Sequence, residues 1–129
     1  MDQYIRKTLR LSTDKYYEIH LNLINCILPI KMTPREIEVI AAFMALEGDI
    51  ASYRFGPSAR KIVMAKLHLS PAGLSNFMKF LFDKGVLERQ GDMIKIYPLL
   101  IPNVDEQKYL FKLVNLSTIT VSQNNNNHE

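Results

Sequence analysis

With 129 residues, 47% of them hydrophobic, the chain is long enough to bury one sizeable core and needs no second domain. A net charge of +3 and a pI near 9.0 permit a polyanionic partner without demanding one, and the single cysteine, Cys26, excludes an internal disulfide and fits a reducing compartment. No apolar run approaches the roughly 18 residues of a membrane span, and Met1 to Lys7 lacks the order of a signal peptide, so a soluble protein is expected that is intracellular, or made inside a cell and packaged there.

Met1 to Leu11 sets Arg6, Lys7 and Arg10 among Tyr4, Ile5, Leu9 and Leu11, which reads either as a solvated amphipathic arm or as an arm that tracks phosphates. From Asp14 to Leu28, Tyr17, Leu21, Ile24 and Leu28 form a helical stripe opposite Asp14, Glu18, Asn22 and Asn25. Tyr17, Ile19, Leu21 and Leu23 also alternate as in a strand, but the length favours a helix that ends at Pro29. Cys26 lies in an apolar stretch and reads as a small core residue rather than a nucleophile.

Thr33-Pro34-Arg35-Glu36 carries a complete helix start: a capping threonine, a proline in the first turn and a glutamate placed to close a capping box. Ile37, Ile40, Ala41, Met44 and Phe43 continue its buried side to about Leu46. The pattern lapses from Glu47 to Gly56, a long connection between helices. Pro57 to Leu67 reads as a shorter helix with Ala59, Ile62, Val63 and Leu67 on its apolar side.

Only His68, Leu69 and Ser70 separate it from the next helix, and two helices so joined must cross steeply. Ser70 caps that helix, Pro71 suits its first position and Gly85 can take the left-handed turn that ends it. Leu74, Phe77, Met78 and Leu81 make its buried stripe, with Phe80 and Phe82 at the edges, and Ala72, Ser75, Asn76, Lys79 and Asp83 lie opposite. Val86 to Gln90 and Met93 to Tyr97 are rich in strand formers, and Gly91-Asp92 between them suits a two-residue hairpin.

Pro98-Leu99-Leu100-Ile101-Pro102 cannot be an interior strand, because neither proline has an amide to donate, and is expected to lie extended over the core. Asn103 can cap a last helix with Asp105 and Glu106 in its first turn and Tyr109, Leu110, Leu113 and Val114 as its apolar side. Leu116 to Ser122 alternates and is rich in β-branched residues, as a strand would be. Gln123 to Glu129 is a polar, low-complexity tail.

Leu67, Leu69-Ser70, Leu74-Ser75, Met78, Leu81, Lys84-Gly85-Val86-Leu87 and the hairpin after them resemble the winged helix-turn-helix domains of bacterial and phage transcriptional regulators, over roughly 40 residues. His68 departs from the pattern, since the turn of such domains often holds glycine there. The resemblance implies a mainly α fold with a small β-hairpin wing (α+β): an N-terminal arm and helix (1–32), a winged helix-turn-helix core (33–97), a C-terminal extension (98–122) and the tail (123–129). It also implies a short strand at Ala51 to Phe55 paired with the wing, with Tyr53 and Phe55 facing the core rather than stacking bases. A helix outside the core motif commonly forms a dimer interface in this family, so the helix from Asn103 or that from Asp14 either dimerises the chain or packs on its own domain.

Two functions from different classes follow. The first is a dimeric DNA-binding regulator of transcription or replication, cytoplasmic and, if phage-encoded, in a bacterial host. Its partner is double-stranded DNA, with Ser75, Asn76 and Lys79 on base edges and Arg60, Lys61, Lys66, Arg89 and Lys95 on phosphates. Basic residues exceed acidic ones by four between Ser58 and Lys95, which concentrates the charge where that reading needs it. The second is a structural or adaptor subunit of a larger assembly, for example a virion or connector, that binds protein neighbours through Phe80, Tyr109, Leu113, Ile119 and Val121. Neither needs a membrane, a cofactor or a small-molecule substrate. His20, His68 and His128 lie far apart with no ligand spacing around them, and no phosphate loop or nucleophile elbow occurs, so no metal site and no enzyme are expected.

Overall fold

A computed structural model describes residues 4–117 of the chain. It is mainly α-helical with one small antiparallel hairpin: α1 Thr13–Asn25, α2 Pro34–Met44, a 3-10 helix Gly48–Tyr53, α3 Pro57–Leu67, α4 Pro71–Asp83, β1 Leu87–Gln90, β2 Met93–Ile96 and a 3-10 turn Pro98–Leu100. None of these helices is long and apolar enough to cross a membrane.

The local signals act where the sequence places them. Thr33 accepts the Glu36 amide while the Glu36 carboxylate accepts the Thr33 amide, so both orphan donors at the start of α2 are satisfied. Ser70 Oγ accepts the Gly73 amide at the start of α4. Gly85 (φ 76°) turns the chain out of α4, and the Val86 amide reaches back to the Leu81 carbonyl, a closure that needs the left-handed conformation at that position. His68 takes the same conformation (φ 56°) after α3, with the Leu69 amide on Met64, so the turn forms despite its Cβ.

The core gathers from every part of this frame. Val39, Ile40 and Phe43 of α2 are fully buried among Leu21 of α1, Val63 of α3, Leu74, Met78 and Leu81 of α4, Leu87 of β1 and Leu100. Nearly the whole of α2 is buried, which makes it the central helix against which α1, α3 and α4 each pack. The hairpin pairs Leu87 with Ile96 and Gln90 with Met93, closing through Gly91-Asp92, and Leu87 plugs its base into the core.

Several expectations are corrected. α1 stops at Asn25 rather than Leu28, because the Asn25 side chain leaves the helix to bond both the amide and the carbonyl of Met32. Cys26 is exposed, past the end of the helix, and is not a core residue. Ile62 is exposed on α3, whose buried side narrows to Ala59 and Val63.

The strand expected at Ala51 to Phe55 is instead the 3-10 helix. Gly48 bends the chain with φ 74°, and Arg54 Nη1 then donates to the carbonyls of Phe43, Met44 and Leu46, which draws this segment beneath the end of α2 and not alongside the hairpin. Phe55 does face the core, its ring 4.7 Å from that of Phe43, but Tyr53 is exposed.

The C-terminal part differs most. Pro98–Leu100 makes a 3-10 turn that drops Leu100 into the core, where an extended run was expected. Residues 103–115 form no helix: Asn103 donates its amide to Gln107 Oε1 and caps nothing, and Leu110 and Leu113 face solvent. An isolated helix of that length has little stability without a buried face. Of the strand expected at 116–122, Leu116 and Ser117 are helical, and the rest, with Ile119 and Val121, lies outside the described residues, as does the polar tail.

Candidate nucleic-acid interface

The outward face of α4 is polar because its buried stripe is complete. Leu74, Met78 and Leu81 seat the helix on the core, and the helical period then leaves Ala72, Ser75, Asn76, Lys79 and Asp83 exposed. Ser75, Asn76 and Lys79 therefore share one solvent-facing surface, as the spacing requires, with three hydrogen-bonding groups unscreened by neighbours. Phe80 borders it, about half exposed. Phe82, on the other edge, is partly buried beneath the Arg89 guanidinium, whose carbon stands 4.9 Å above the ring centroid.

The expected phosphate contacts divide into groups. Arg89 lies on β1 and Lys95 on β2, and Lys95 stands opposite Glu88 in the hairpin register, so its charge has an acid beside it. Lys61 is exposed on α3. Lys66 pairs with Asp14 across α3 and α1, which ties it to a structural role as well. Arg60 donates Nε to the Phe55 carbonyl, which holds its guanidinium in place.

Lys84 counts toward the basic excess in the sequence but not at the surface. Its ammonium is 2.6 Å from the buried Glu36 carboxylate and also donates to the Lys31 carbonyl. Burial pushes the Glu36 carboxyl up, but the hydrogen bonds from Lys84 and Thr33 and the charge of Lys84 outweigh it and hold the group below the ordinary carboxylate value.

Arg60 and Arg89 border one space. Both line a cleft of about 450 Å³ between the end of the 3-10 helix, the start of α3 and the hairpin, together with Tyr53, Arg54 and Asp92. Sequence reasoning named the first two as separate phosphate contacts and missed the cleft, since the signal was the very lapse in periodicity from Glu47 to Gly56 that left the path of the chain open.

Of the expected protein contacts, Phe80 and Leu113 are exposed as that role requires. Tyr109 is not a free surface residue: its hydroxyl donates to Nδ1 of His20, whose Nε2 donates to the Leu100 carbonyl at 3.0 Å. The phenol is thus spent on anchoring the C-terminal segment to α1 of its own chain. Tyr16 assists from the preceding turn of α1, its hydroxyl donating to the Asn103 carbonyl at 2.7 Å.

No family model, no curated protein and no solved structure matches this chain.

Proposed function

We propose that the protein is a DNA-binding regulator of the winged helix-turn-helix type, with α4 as its recognition helix. The observation that supports this reading most is the exposed face of α4. Ser75, Asn76 and Lys79 form a short polar set on one helix that the His68 turn joins to α3 and that packs beside the hairpin. Asn can pair bidentately with adenine and Lys with the acceptors of guanine in a major groove, while Lys61, Arg89 and Lys95 supply charge for the flanking phosphates. Action in the cytoplasm on double-stranded DNA follows from the same reading.

Selection of duplexes from a random pool by the purified protein tests it. A common motif should emerge; Asn76→Ala or Lys79→Ala should each cost about 1–3 kcal/mol at one position of that motif, whereas Lys61→Ala should weaken all sequences alike. Failure to enrich any motif, or equal enrichment by the doubly substituted protein, overturns the assignment.

A second reading, a structural or adaptor subunit, is favoured by one observation. Val104, Leu110 and Leu113 are 81%, 84% and 95% exposed in a segment without regular structure, more apolar surface than a solvated tail needs. Sedimentation velocity separates the two readings: an assembly lost on deleting residues 116 to 129, together with no DNA selection, supports the subunit.

A further inference from the structure

The cleft between the 3-10 helix and the hairpin has a composition that DNA contact does not require. Arg60 and Arg89 both line it. Arg60 is fixed through Nε on the Phe55 carbonyl, and its two Nη groups have no hydrogen-bond partner among the described residues. Arg89 is steadied by the Phe82 ring beneath it, and none of its nitrogens is hydrogen-bonded among those residues. Two pre-positioned forks in one cleft suit an oxyanion that can accept from both.

The lining also carries apolar and aromatic groups. Tyr53 is 59% exposed and Met93 45% exposed, and both line the cleft. The Tyr53 ring lies close over Gly56, where a Cβ would stand 2.5 Å from Cδ2, so only glycine admits the ring at this place in the lining. α3 begins here with no side-chain cap and its first residue, Pro57, lines the cleft, so the positive end of the helix adds to the potential of the arginines. Arg54 also lines it, with Nη1 committed to the carbonyls at the end of α2, and Asp92 is the one acid among the lining residues. A bare backbone phosphate would use the guanidinium groups and leave Tyr53 and Met93 wet. A ligand with a flat body uses both kinds of group, and a cleft of about 450 Å³ is of the size that holds small ligands.

We propose that this cleft binds a phosphomonoester bearing a planar ring, of the size of a nucleoside monophosphate, with Arg60 and Arg89 on the phosphate and Tyr53 against the ring. The molecule is a ligand and not a substrate. Its consequence rests on the DNA-binding reading: Arg89 is also a phosphate contact there, so an occupied cleft competes with the duplex and makes the ligand an effector.

The test titrates the full chain with adenosine 5′-monophosphate, and separately with inorganic phosphate, following amide shifts by NMR. Binding near roughly 1 mM or tighter is expected, with shifts at Ser58, Ala59 and Arg89. Arg89→Ala should weaken it by about tenfold or more, Tyr53→Ala should reduce it to the level of inorganic phosphate, and Asp92→Asn should tighten it. Circular dichroism of each variant checks that the fold is kept. No shifts at the cleft, shifts unchanged in Arg89→Ala, or inorganic phosphate binding as tightly as the nucleotide overturns the proposal. Because the titration contains no DNA, its outcome is independent of whether the protein binds a duplex. A nucleotide that binds the cleft yet leaves a measured protein–duplex complex undisturbed overturns the effector role alone.

Discussion

Lys84 reaches from the end of α4 to Glu36 in the first turn of α2, 2.6 Å from a carboxylate that is only 3% exposed, and joins residues 48 apart in the chain. The carboxylate already serves the capping box, so a single buried group closes a helix start and pins a second helix to it. Lys84→Met keeps the stem and removes the ammonium, leaving Glu36 buried beside Thr33 alone. We expect a loss of about 2 kcal/mol in urea unfolding at neutral pH.

The same pair contributes to the acid limb of stability. Because the folded Glu36 carboxyl lies below its ordinary value, its contribution is complete above the unfolded value and is lost as pH falls through the folded one. Unfolding free energy measured downward from pH 5 should therefore decline in the wild type and decline less steeply in Lys84→Met.

His20 acts in a different window. Burial lowers its affinity for a proton, and the bond to the Leu100 carbonyl only partly offsets this, so the folded value lies below 6.5. The stability of the neutral ring is complete above 6.5 and is lost as pH falls from there through the folded value, where the unfolded chain binds the proton first. Protonation also removes the acceptor that Nδ1 offers Tyr109, so loosening of residues 101–115 should accompany it. Hydrogen exchange at pH 7.5 and at pH 5.5 checks this: protection of the Leu100 to Tyr109 region should drop at the lower pH, and in His20→Gln that dependence should vanish.

His68→Gly should stabilise the protein. His68 is exposed and left-handed, its φ of 56° costs strain that glycine does not bear, and the gain exceeds the added freedom of the unfolded chain. A rise of about 0.5–1 kcal/mol in unfolding free energy is expected. An unchanged or lower value would mean that the imidazole makes up the difference through contacts at the turn.

Arg54→Ala should loosen the end of α2. One nitrogen of this arginine serves three carbonyls at 2.8, 3.0 and 3.1 Å, which are left to water without it. A loss of about 1–2 kcal/mol is expected, together with displacement of Tyr53, visible as shifted tyrosine ring resonances.

Much of the core frame is legible because its signals are local. Thr33 with Glu36, Ser70 with Pro71, Gly85, and Gly91-Asp92 each specify a start, a stop or a turn within a few residues, and the apolar periods of α2 and α4 fix which faces are buried. The polar face of α4 follows from the same periodicity. What could not be read depends on distant partners. Arg54 takes its place from carbonyls of α2, Tyr109 from a histidine 89 residues away, and Lys84 from Glu36, and no pattern around any of them announces the partner. The segment from Asn103 carries a helix's spacing without a surface to bury it against, which is why propensity and capping signals there misled.

In the proposed function, DNA lies against α4 and the hairpin. The most direct measurement is fluorescence anisotropy of a labelled mixed-sequence duplex against the full chain at about 50 and 200 mM salt, for wild type and a Lys61→Ala/Lys79→Ala/Lys95→Ala protein. Micromolar binding at the lower salt that falls steeply at the higher is expected, with a shallower salt slope and weaker binding in the substituted protein. No binding at the lower salt, or binding that the three substitutions leave unchanged, would contradict it.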